Sequence, residues 1–225
     1  MKSLPRITLL CAALLAVAAC SSNSVAPKDY SGFLKDYSRL QPAKSPSGAA
    51  VMRWVDPKVN PNQYTQVFIE PSQFYPKPQP TPVISAQTLQ EITRYFNEAL
   101  RRELGSVLTL AKAPGPGVIV VRPAITAVST RNEGLKPYEV IPIALISAGV
   151  NTAMGGRDQE VDVGVEAAFL DGASQQVLAQ VVRKGAGKAL ENDQQKLTLD
   201  DVKPVLDGWA KDMRTSFAAL KNKPR

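Results

Sequence analysis

The sequence predicts an α+β fold, a mixed β-sheet with two long amphipathic helices packed on one face, and three patterns predict it. Leu89, Ile92, Phe96, Ala99, Leu100 and Leu104 recur at helical spacing while Gln90, Arg94, Asn97 and Arg101 fall on the other side. Val202, Val205, Leu206, Trp209, Met213, Phe217 and Leu220 make a second stripe of the same kind. Between the two, "EVDVGVEAAFL" (160–170) alternates with a period of two, and "QVLAQVVRKGAG" returns after the turn "DGASQ", as a β-hairpin does. With 44% apolar residues in 225, the chain can bury one substantial core, so a single main domain is expected.

The elements follow in order. Lys2 and Arg6 precede an apolar run from Ile7 to Val17, the arrangement of a signal peptide and too short for a stable membrane-spanning helix. Val17, Ala18, Ala19 and Cys20 then resemble the lipobox of bacterial lipoproteins, with small residues ahead of a thiol that accepts lipid. That resemblance implies removal of residues 1–19 and acylation of Cys20, making membrane lipid a partner. Two or more acyl chains, at roughly 0.8 kcal/mol per buried methylene, hold where a single chain does not. The plainer alternative is an ordinary signal peptide with an incidental cysteine. Ser21 and Ser22 resemble the residues that permit export, where aspartate after the cysteine resembles inner-membrane retention. For a Gram-negative source this implies the outer membrane, facing the periplasm.

Residues 20–29 comprise the lipidated cysteine and "SSNSVAPKD", read as a flexible tether reaching at most about 30 Å. The domain is expected over 30–222. From Tyr30 to Tyr75 eight aromatic residues lie in an irregular stretch, where Phe33, Leu34, Tyr37 and Leu40 suit a short amphipathic helical turn packed on the domain. "YTQVFIEP" reads as a first strand stopped by Pro71, and the prolines up to Pro82 favour an extended loop. Ser85 caps the first long helix and Gly105 ends it. Val107 begins a short strand. Val118 to Val128 reads as a buried strand in which Pro123 marks a bulge or an edge. The final helix runs from about Asp201 to Leu220, with Pro204 in its first turn.

Composition excludes much chemistry. The chain has no histidine, which removes Ser-His-Asp and Cys-His mechanisms and histidine-ligated zinc. Without Lys2 and Arg6 it carries 25 bases against 20 acids, scattered rather than clustered, so nucleic acid is not the expected partner. Asp158, Glu160, Asp162 and Glu166 share one strand parity, a row able to bind a divalent cation or supply acid and base; the plainer reading is the wet face of a half-buried strand. "RKGAGKAL" (183–190) fails as a phosphate loop, because Val182 replaces the first glycine and Ala189 the hydroxyl residue. No catalytic residue, metal site or cofactor is assigned. "VIPIALISAGVNTAM" (140–154) is apolar on all sides yet about 22 Å long as a helix, short of the roughly 30 Å hydrocarbon core. Burial accounts for it; the alternative is an interaction surface of Ile143, Leu145, Ile146, Gly149, Val150 and Ala153.

Taken with the lipobox, the segments "SGFLKDYSRL", "WVDP", "YTQVFIEP" and "APGPGVIVVRPAIT" resemble a family of bacterial lipoproteins classed as a domain of unknown function (DUF3313). The resemblance implies a periplasm-facing lipoprotein and carries no catalytic residues. The expected function is a non-enzymatic binding or assembly component of the envelope, with an envelope protein or peptidoglycan as partner. The alternatives are a carboxylate-dependent periplasmic enzyme or metal binder, and a structural protein contacting the cell wall.

Overall fold

The computed structural model describes residues 25–132 and 159–222. Its strands are β1 (Gln41–Lys44), β2 (Ala50–Val55), β3 (Gln66–Ile69), β4 (Gln73–Phe74), β5 (Thr109–Leu110), β6 (Val118–Asn132), β7 (Gln159–Asp171) and β8 (Val177–Ala186); its helices are α1 (Ala86–Gly105) and α2 (Leu199–Lys221). The strands form one mixed sheet in the order β1-β2-β8-β7-β6-β3-β5, and β4 pairs with β6 beyond the end of β3. The pairs of β6 with β3 and β4, and of β3 with β5, are parallel; the rest are antiparallel. This is the expected α+β class, with both helices on one face.

Ser85 caps α1, its hydroxyl accepting from the Thr88 amide at 3.0 Å, and all six residues of the expected stripe are buried. Asn97 does not simply face solvent: its Oδ1 accepts from the Ser72 amide at 2.8 Å and tethers the proline loop to the helix. Helix α2 begins two residues before Asp201, because Thr198 and Asp201 form a reciprocal capping box. Pro204 is thereby the sixth residue rather than part of the first turn. On the sheet, Val161, Val163, Val165 and Ala167 of β7 pack with Ile92, Phe96, Leu206 and Trp209 into the main core.

Pro123 lies between Val121 and Ile125, whose carbonyls accept from the Glu70 and Tyr75 amides. Its missing donor thus faces the interruption between β3 and β4, where no ladder bond is lost. The bulge itself falls at Thr126 and reverses the parity of β6, so that Ile125 and Val128 both enter the main core. Gly164 lies opposite, where a Cβ would stand 2.9 Å from Thr126 Oγ1.

Expectations change at several points. First, β1 and β2 form a hairpin within the stretch read as irregular. Second, residues 30–40 make turns rather than helix, since Gly32 and Lys35 adopt φ of 90° and 64°. The part of the tether from Val25 onward is packed: Val25 is buried, Pro27–Asp29 is a 3₁₀ turn, and Asp29 pairs with Lys184 at 3.2 Å. Third, the face of β7 read as wet is covered along much of its length. Val25, Leu34 and Leu40 pack there against Met52, Val120, Ala168, Leu170 and Val182 as a second apolar cluster.

Glu166 lies beneath this cover, 0% exposed. Its carboxylate accepts from the Ser31 amide at 2.8 Å and from the Tyr37 hydroxyl at 2.7 Å. The same hydroxyl accepts from the amides of Gly32 at 2.7 Å and Leu34 at 3.2 Å, while the Tyr37 ring stacks on Tyr30 at 4.4 Å. Burial, and then the Glu166 carboxylate, push the Tyr37 hydroxyl up to about 12. A pKa raised by folding stabilises fully below the unfolded value of about 10 and loses that contribution as pH climbs to the folded value. Tyr37→Phe is expected to destabilise the domain by about 1–3 kcal/mol near neutrality, by leaving two amides and a buried carboxylate short of a partner. It should also flatten the decline between pH 10 and 12; urea midpoints measured across that range check both.

Candidate functional site

Helix α1 packs on α2 and on β3 and β5, and α2 lies over β7 and β8. No described helix covers β2 and β1 on this face. The result is a cleft of about 640 Å³ between the C-terminal half of α2 and the β1-β2-β8 end of the sheet, a volume typical of small-molecule sites. Its walls are mostly apolar: Val55 of β2, Val181 of β8, Met213 and Phe217 of α2, and Leu178 beyond the hairpin turn. The α2 stripe read from the sequence continues past its cover, leaving Leu220 36% exposed at the cleft.

One end of the cleft is polar. Arg183 Nη1 donates to Asp212 Oδ2 at 3.0 Å, with both side chains 7% exposed. Asp212 also accepts from the Ser47 amide at 3.0 Å and hydroxyl at 2.8 Å, tying the β1–β2 turn to α2. The Arg183 guanidinium stands 5.3 Å from the Trp209 ring centroid. Burial lowers the Arg183 pKa, against the pull of Asp212. For Asp212 burial acts upward, but the Ser47 and Arg183 hydrogen bonds outweigh it and hold the carboxyl below its usual range. Arg183 and Asp212 escaped the sequence reading. Their signal was two opposite charges out of place, an arginine on the inward parity of β8 and an aspartate inside the apolar stripe of α2.

The sequence-derived sites fare differently. Cys20, Asp158 and the surface of Ile143, Leu145, Ile146, Gly149, Val150 and Ala153 lie outside the described residues. Of the carboxylate row, Glu166 is committed to Ser31 and Tyr37, and Glu160 and Asp162 also have interactions. Among the described residues no cluster of three or more carboxylates and thiols is arranged to hold a metal. The glycines of "RKGAGKAL" admit close packing instead of phosphate. A Cβ on Gly185 would lie 2.8 Å from Val205 Cγ1, and one on Gly187 2.5 Å from the Asp201 carbonyl, which already accepts from the Lys188 amide.

Residues 29–213 match the family described as "Protein of unknown function (DUF3313)". The chain belongs to this family. The DUF3313 match takes in Arg183 and Asp212 and ends at Met213, before Phe217 and Leu220. The chain is also 35% identical to "Uncharacterized lipoprotein YdcL" of Escherichia coli K12, over 93% of this chain and 94% of that protein. This similarity supports a lipoprotein, a membrane-anchored protein of the envelope; no described helix is long and apolar enough to cross a membrane. Two solved structures resemble the DUF3313 chain more distantly. A putative neuraminyllactose-binding hemagglutinin homolog from Helicobacter pylori is 10% identical with a TM-score of 0.40, covering 74% of this chain and 87% of its own. A minor lipoprotein from Acinetobacter baumannii is 11% identical with a TM-score of 0.35, covering 72% and 98%.

Two outcomes follow for the packing of α2 on the sheet. Gly187→Ala is expected to cost about 1–3 kcal/mol, because backbone rather than a flexible side chain opposes the new methyl; a lower thermal midpoint with unchanged far-UV circular dichroism checks it. Asp212→Asn leaves Arg183 buried without a counter-charge and should cost about 3 kcal/mol. A carboxyl with a depressed folded pKa stabilises above its unfolded value, about 3.9, and loses that contribution as pH falls towards the folded one. The Asp212→Asn variant should therefore show a shallower acid limb below about pH 4 in denaturant midpoints.

Proposed function

We propose that this protein is a lipid-anchored binding component of the bacterial outer membrane, facing the periplasm, that holds a ligand in the cleft beside α2 without transforming it. The cleft carries this reading: apolar walls end in a buried ion pair whose partners are fixed by Ser47 and Trp209. Arg183 and Asp212 neutralise and orient one another, an arrangement suited to holding a ligand's polar end and lacking a free base. The similarity to a lipoprotein over nearly the whole chain supports the anchor. Cys20 is its point of attachment through the motif Val17-Ala18-Ala19-Cys20.

The packed 3₁₀ turn shortens the free tether. Only the residues between Cys20 and Val25 separate anchor from fold, a reach of at most about 17 Å. The domain is held against the membrane surface, not extended across the periplasm. Cys20→Ala should move the protein from the membrane to the soluble fraction, or leave it as a slower-migrating precursor. Ser21→Asp, with Cys20 intact, should shift it from outer- to inner-membrane fractions of a density gradient. Unaltered membrane association and migration of Cys20→Ala would sink the anchor, while binding in the cleft is tested separately.

A further inference from the structure

The strand register gives the cleft a direction. Arg53 of β2 is paired with Val181 of β8, and Val55 with Ala179. Arg183 lies two residues beyond Val181 at the end near Ser47, and Leu178 lies at the other end near Phe169. On α2 the same progression runs from Asp212 to Leu220, about 12 Å along the helix axis. One end is thus polar and cationic, and the other is apolar.

The charges at the polar end do not balance. Lys44, Arg53 and Arg183 line the cleft against the single carboxylate of Asp212. Arg53 and Lys44 have no ion-pair partner among the described residues. Arg183, more than nine-tenths buried, leaves its Nε without a hydrogen-bond partner. An anionic group at this end offsets the surplus charge of Lys44 and Arg53, neither of which the buried Arg183–Asp212 pair balances.

We infer that the cleft binds a single-chain anionic amphiphile, a fatty carboxylate, with its hydrocarbon along Val55, Leu178 and Phe217 and its head between Arg53, Lys44 and Arg183. This rests on the reading that the cleft is a ligand site and adds the chemical class. The guanidinium groups supply planar donors matched to a carboxylate. The apolar end supplies the area that removes the chain from water. The site lies on the helix side of the sheet, whereas Val25, nearest the anchor, packs on the opposite side.

The test uses the full lipidated chain in nanodiscs of zwitterionic lipid, equilibrated with dodecanoic acid bearing a terminal diazirine, then irradiated, digested and mapped. The equal-length alcohol and amine serve as controls. The acid should label peptides of α2 and β8 at the cleft at least fivefold more than the alcohol or the amine. Excess unlabelled dodecanoate should suppress that label. Lys44→Gln combined with Arg53→Gln, both outside the main core, should erase the preference for the acid, and Ala179→Trp should close the apolar end to all three probes. Equal cleft labelling by acid and amine would overturn the anionic class while upholding a ligand site. Absence of competable cleft labelling by any probe would overturn both.

Discussion

Because β7 sits in the middle of the sheet, it must be shielded from two directions, and most of the chain is arranged to do so. Val163, Val165 and Ala167 are covered by the helices, and Glu166, Ala168 and Leu170 by the N-terminal segment. Neither cover suffices alone. Without the N-terminal segment, Val120, Ala168, Leu170 and Val182 would form an exposed apolar patch beside the Glu166 carboxylate. The fastening on the second face is polar: Glu166 takes one backbone and one phenolic donor, and Tyr37 takes two further amides. A buried carboxylate is costly unless its lone pairs are filled, and here filling them fixes the path of the segment that leads back to Cys20.

The cleft is the complement of the same constraint. The two helices among the described residues do not cover the whole eight-stranded sheet, and both are used over its centre and the β3–β5 side. The β1–β2 hairpin extends the sheet beyond the reach of α2. Ser47 in its turn is drawn back by Asp212, while no described helix lies above the hairpin's inward side chains. The close approach of α2 to β8, permitted by Gly185 and Gly187, places Trp209 over Arg183 and leaves the space beyond Met213 open. The cleft and the gap in the described helical layer are here one feature.

An alternating strand discloses which residues share a side but not what covers that side. Glu160, Asp162 and Glu166 read as solvent-facing because carboxylates usually are. A glutamate whose lone pairs are filled by Ser31 and Tyr37, more than a hundred residues earlier, looks the same in one dimension. The β1–β2 hairpin was legible in principle, since "AVMRWV" is a short apolar, partly β-branched run; the surrounding prolines, glycines and polar residues masked it. Lys35, held at positive φ, ended the expected helical turn at a residue type that carries no such signal.

What the sequence determined by itself is what short-range physics controls. The two amphipathic stripes, the Ser85 cap and the β7–β8 hairpin each depend on residues a few positions apart, as do the motif at Cys20 and the failed phosphate loop. Tertiary structure alone decided the burial of Glu166, the pairing of Arg183 with Asp212 and the cleft beside α2. These arise where segments far apart in the chain meet, and the energy of a buried charge depends on the partners that folding brings to it, not on its neighbours in sequence.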